Sequence, residues 1–184
     1  MTIRLDETTR PKAPHIEGMT PVQEWRGKRL ALIHQMHLRE LEWVKRVMQQ
    51  IEAGERRPAD LGEAVSSLSM AESYKAFGNL CGQECQLLNF HHMAEEQVVF
   101  PALERQGSDG LRQVVQRLRE EHEVIHALLQ DLETWAAAAV SHADAASFAG
   151  LKQAFERLDR TVRSHFGYEE GELEQALGYY EVEL

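Results

Sequence analysis

Histidines and glutamates stand inside the apolar rows of this chain's helical patterns, and that placement limits what it can fold into. Leu111, Val115, Leu118, His122, Ile125, Leu129 and Leu132 recur at steps of three or four, and so do Phe148, Leu151, Phe155, Leu158, Val162, His165, Glu169 and Leu173. Such spacing marks the buried stripe of a helix packed in a bundle. A polar side chain in that stripe is costly unless it finds a partner. His122, His165 and Glu169 therefore need partners inside the fold.

Two further helical patterns precede these, one from about Val22 to Ala53 and one from about Leu61 or Ser69 to Arg105, weakened early by Gly78 and Gly82. Gly107-Ser108-Asp109-Gly110 reads as a turn, the third helix as about Leu111 to Val140, and the fourth as about Asp144 to Leu177. The expectation is an all-α, up-down-up-down four-helix bundle over residues 22–184, with residues 1–21 an extended or flexible N-terminal arm holding Pro11, Pro14, Pro21 and a solvent-facing His15. Cys81 and Cys85, four apart on one helix, would staple nothing as a disulfide and read as reduced thiols. Trp25, Trp43 and Trp135 read as core or interface residues. Tyr168, beside Glu169, reads either as a hydrogen-bond donor to a site or as a surface residue.

Each helical pattern carries groups able to bind a metal: His34 and His37 on the first, His91, His92, Glu95 and Glu96 on the second, His122 and His126 on the third, and His165, Glu169 and Glu170 on the fourth. Residues four apart share a helix face, so His91/Glu95, His122/His126 and His165/Glu169 each present two donors about 5.4 Å apart along the axis. His92/Glu96 has the same spacing. Leu80, Leu87, Leu88 and Val98 lie near the His91 side and favour that frame. The clusters also share a level. Glu95 precedes the turn near Ser108 by about 13 residues and His122 follows it by about 14. A lone core histidine is ordinarily hydrogen-bonded structure, and a single His-x-x-x-Glu pair is ordinarily a surface pair. Four clusters at one level on four core-facing seams point instead to metal. Imidazole with carboxylate suits iron, zinc or manganese, and no matched thiolate cluster suggests a zinc finger. Six or seven donors exceed what one tetrahedral ion takes, which implies two ions.

The stretches HHMAEEQVVFPALE, EEHEVIHALL and HFGYEEGELEQAL, preceded by LIHQMHLRELEWV, resemble in order and interval the hemerythrin-like (HHE cation-binding) family across about residues 30–175. The resemblance implies His34, His91, Glu95, His122, His165 and Glu169 as ligands of two iron ions, with Glu95 and Glu169 bridging them beside an oxo or hydroxo group, and zinc or manganese as substitutes. His126 matches the second histidine of a His-x-x-x-His pair found in oxygen-carrying members, which would add it to His122 and His165. His37 reads as an outer or alternative ligand or an ordinary core histidine. Oxygen-carrying members have an aspartate five residues after the last histidine; here Glu169 stands at four and Glu170 at five.

The function expected from this resemblance is a non-haem di-iron protein that binds or senses O2, NO or peroxide without being an enzyme. The alternative is iron-dependent detoxification of NO or peroxide, or iron-centre repair under stress, with electrons from a redox partner protein. A third reading is a zinc-bound or metal-free interaction domain. A formal net charge of -10 argues against nucleic acid and anionic membrane surfaces as partners. With no apolar run of membrane-spanning length and no apolar leader, the expected location is the cytoplasm.

Overall fold

The computed structural model describes residues 5–55, 83–142 and 144–184, and all regular structure among them is helical. The turn near Pro58, the start of the second helical pattern, and the reading of Cys81 with Cys85 lie outside the described residues. After a 3-10 turn at Glu7–Thr9 come α1 (Pro21–Gly27), α2 (Arg29–Glu52), α3 (Gln83–Ala94), a π turn (Glu95–Val99), α4 (Phe100–Gln106), α5 (Asp109–Ser141) and α6 (Ala145–Tyr179). No helix among the described residues is long and apolar enough to cross a membrane.

The first pattern, expected as one helix, is two. Thr20 opens α1 with a capping box to Gln23, and Pro21 sits in the first turn, where its missing N–H costs nothing. The helix is pressed against α6 at Gly27, where a Cβ would lie 2.2 Å from the Glu174 carbonyl oxygen, and the chain turns at Lys28 before α2 begins.

The π turn has a cause in the sequence. Pro101 has no N–H to donate to the carbonyl four residues back, and its ring crowds that carbonyl. The helix widens just before it, and the Phe100 N–H reaches the Glu95 carbonyl, five residues back. The wider turn begins at Glu95, which is a candidate ligand.

The chain divides into two compact units: Met1–Met36, Phe90–Val124 and Thr161–Leu184 form the first, and His37–Asn89 with Ile125–Arg160 the second. In the first, Leu30 of α2, Phe100 and Leu103 of α4, Val114, Val115 and Leu118 of α5, and Leu173 and Leu177 of α6 make one buried cluster, so four helical segments surround a single core. The periodicity seen in α5 and α6 is the periodicity of this burial. In the second, Val47, Met48, Leu128, Leu129, Phe155 and Leu158 are buried, and Lys45–Asp159 and Arg157–Asp131 pair charges across helices. None of the three tryptophans is fully buried: Trp25 is exposed and Trp43 and Trp135 are half-buried.

Candidate metal centre

Among the described residues, both close-packed groups of donors lie in the first unit. His34 comes from α2, His91 and His92 from α3, Glu95 from the π turn, His122 from α5, and His165 and Glu169 from α6. They form two groups, His34, His91, Glu95 and Glu169 in one and His92, His122 and His165 in the other, each with donor atoms within 4.8 Å of one another. The two carboxylates join the groups. Glu95 Oε1 lies 3.1 Å from His91 Nε2 and its Oε2 lies 3.5 Å from His122 Nε2. Glu169 Oε2 lies 3.4 Å from His34 Nε2 and 3.6 Å from His165 Nε2. The Nε2 atoms of His34 and His91 are 3.0 Å apart, the spacing of two donors at right angles on an ion with bonds of about 2.1 Å.

The far nitrogens of three imidazoles are held by further carboxylates. His34 Nδ1 donates to Glu170 Oε1 at 2.8 Å, His122 Nδ1 to Glu96 Oε1 at 2.9 Å, and His165 Nδ1 to Glu121 Oε2 at 3.2 Å. An ionised carboxylate only accepts, so Nδ1 carries the proton and Nε2 keeps its lone pair for the interior. Each acidic dipeptide thus divides its labour. Glu95 and Glu169 face the donor groups, while Glu96 and Glu170 orient a histidine on another helix. Phe166 stacks on the His34 ring at 3.8 Å and holds its plane.

The centre is deeply enclosed. His34, His92, His122, His165 and Glu169 have no exposure and Glu95 has 2%. Both oxygens of Glu95, both of Glu169 and Nε2 of His165 are buried without a hydrogen-bond partner. Stranding two carboxylates in this way costs several kcal/mol each, and cations between them would offset that cost. The donor set and its orphaned oxygens therefore fit a pair of hard or borderline cations such as iron. Burial, and then the neighbouring Glu169 charge, push the Glu95 carboxyl well above the ordinary carboxylate range. Burial alone would lower the His34 imidazole, but the Glu169 carboxylate close by and the bond to Glu170 outweigh it and leave the pKa raised. Burial likewise works against ionisation of Glu121, yet hydrogen bonds from His165 and Arg10 win and lower its pKa.

These directions set a pH test. A group whose folded pKa is raised stabilises fully below its unfolded pKa and loses that contribution as pH rises through the folded value. Glu95 and His34 both act this way, so this site makes the metal-free protein progressively less stable as pH rises from the ordinary carboxylate range past the ordinary imidazole range. Glu121 stays ionised throughout that window and adds no slope. Metal requires the ligands deprotonated, so its contribution to stability runs the other way and grows with pH. Thermal melts of chelated and iron-loaded protein at several pH values should give opposite slopes.

Of the residues expected from sequence, His34, His91, Glu95, His122, His165 and Glu169 are brought together. His126 joins neither group; it is half-buried and belongs to the second unit, as does the buried His37. The third imidazole beside His122 and His165 is instead His92. His91 lies in one group and His92 in the other. Neighbours on a helix point about 100° apart, so consecutive histidines serve two adjoining groups. The His-His dipeptide was the available signal. Glu121 was missed as an orienting residue, and only its position beside His122 hinted at it. Tyr168 is buried and donates to the Pro11 carbonyl at 2.8 Å, not to the donor groups.

A family model described as the hemerythrin HHE cation binding domain matches residues 28–177, a span that holds every residue of both donor groups. No curated protein and no solved structure matches the chain.

Proposed function

The chain belongs to the hemerythrin HHE cation-binding family, and from that premise we propose that it is a non-haem di-iron protein that binds or senses O2 or a related small ligand, NO or peroxide. The observation that carries this reading is the sharing of Glu95 and Glu169 between the two groups of buried donors. Two iron ions bound there supply a redox-active position for a diatomic ligand.

The residues divide unequally between the ions. One ion would be held by His34 and His91 with the two carboxylates, and the other by His92, His122 and His165 with the same two carboxylates in reach. An ion on the His34/His91 side would have one imidazole fewer and so more room for an outside ligand. His91, on that side, is also the one imidazole of the set with side-chain exposure, at 8%. Enclosure by buried side chains favours a diatomic ligand over an organic substrate. Glu96, Glu121 and Glu170 keep three imidazoles oriented, and Phe100 and Phe166 line the surrounding apolar shell, which keeps bulk water from the centre.

The test is iron content of protein purified without added metal, followed by optical titration with O2 and with NO. About two irons per chain and a spectrum that changes reversibly with ligand are expected. A well-folded protein that holds zinc or no metal overturns the di-iron reading. Irreversible bleaching, or steady consumption of NO or peroxide with a reductant, replaces reversible binding with turnover.

A further inference from the structure

The three carboxylates that hold imidazole Nδ1 atoms are not equivalent. Glu96 and Glu170 have side chains 34% exposed, so water screens them. The Glu121 side chain is 1% exposed. A carboxylate that deep needs cations, and its main one arrives from the other end of the sequence. Arg10, in the N-terminal segment, donates from Nε to Glu121 Oε1 at 2.8 Å and from Nη2 to Oε2 at 2.9 Å, while Arg117 adds a bond to Oε1 at 3.2 Å.

Arg10 is itself held on every side. Its Nη1 donates to Ser164 Oγ at 3.0 Å, and Ser164 donates onward to Glu7 at 2.7 Å. Its guanidinium lies over the Tyr168 ring, 4.6 Å from the centroid, and the Tyr168 hydroxyl is bonded to Pro11. The Ala13 N–H donates to Glu172 and the Ile16 N–H to Gln175, which ties the segment down along α6. A surface ion pair needs no such fixing. A two-pronged contact to a buried acid that itself grips a metal-facing imidazole is a different object.

We propose that Arg10 is a positioning residue of the metal centre: through Glu121 it sets the proton position and basicity of His165 and so holds up the reduction potential of the metal pair. The inference rests on the di-iron reading. A bare buried carboxylate draws the Nδ1 proton toward itself, gives the imidazole more anionic character, and favours the oxidised metal. Arg10 occupies the lone pairs that would do this. Its positive charge, in a site shielded from water, also opposes oxidation. Both effects have the same sign.

The experiment compares full-length wild type with Arg10→Gln and Arg10→Lys. In iron-loaded protein at a fixed redox poise, Arg10→Gln is expected to shift the oxidised-to-reduced ratio about tenfold toward oxidised, which is 59 mV for one electron. Arg10→Lys keeps the charge and loses the two-pronged geometry, so its shift has the same sign and is smaller. In zinc-loaded protein, the His165 Nδ1–H resonance is expected to move in Arg10→Gln while those of His34 and His122 stay in place. An anchor that merely fastens the segment would lower the melting temperature and move neither readout, and that result overturns the proposal. If Arg10→Gln does not fold, an unshifted ratio in Arg10→Lys overturns it equally. Wild-type protein without iron would defeat the di-iron reading, while the histidine resonances would still report on the Arg10–Glu121–His165 chain.

Discussion

Replacing Glu95 by glutamine is expected to empty both halves of the centre at once, with iron falling from about two ions per chain to less than about a tenth of that. Glu95 approaches His91 with one oxygen and His122 with the other, so no ion can keep its full donor set without it. Glutamine conserves volume and removes only the charge. The same variant should therefore be more stable than wild type when both are metal-free. A carboxyl 2% exposed beside a second buried carboxylate is replaced by a neutral amide, which should contribute about 1–3 kcal/mol. For a chain of this size that is a rise of roughly 2–12 °C in melting temperature. Metal analysis and paired melts with and without chelator check both halves of the expectation. If metal-free Glu95→Gln melts clearly below metal-free wild type, Glu95 holds up the packing, and the picture of an acid stranded to receive a cation fails.

The second large effect separates two histidines that the primary structure makes look interchangeable. His92→Ala should remove one of three imidazoles from its group and with it about half or more of the bound iron. His126→Ala should leave the iron content and the optical spectrum as in wild type, since His126 belongs to neither donor group. Iron per chain for the two variants, purified side by side, decides the matter. A full complement in His92→Ala with depletion in His126→Ala would restore the His-x-x-x-His pairing and remove His92 from the group with His122 and His165.

That contrast shows where legibility ended. His122 and His165 were readable because a polar residue in a stripe of Leu, Val and Ile has few explanations. His126 satisfied the same spacing rule, but a step of four residues also moves about 6 Å along α5. Helical periodicity reports the face of a side chain and says little about its depth relative to three other helices. His92 failed in the opposite sense. One residue from His91, it points about 100° away, which on a single amphipathic helix reads as leaving the core. Between two adjoining donor groups that direction is a second inward one. The π turn that starts at Glu95 was hidden too, although Pro101 supplied its cause.

The order of amino acids by itself determined the helical class, the seams of α5 and α6, and a cation centre made of imidazole and carboxylate. Those follow from local spacing and from the cost of burying polar groups, which act wherever the helices end up. Only the tertiary structure decided which donors share a group, and that Arg10 reaches Glu121, 111 residues away in the chain. Distances of a few ångströms between helices depend on how whole surfaces pack, and no window of sequence contains that sum.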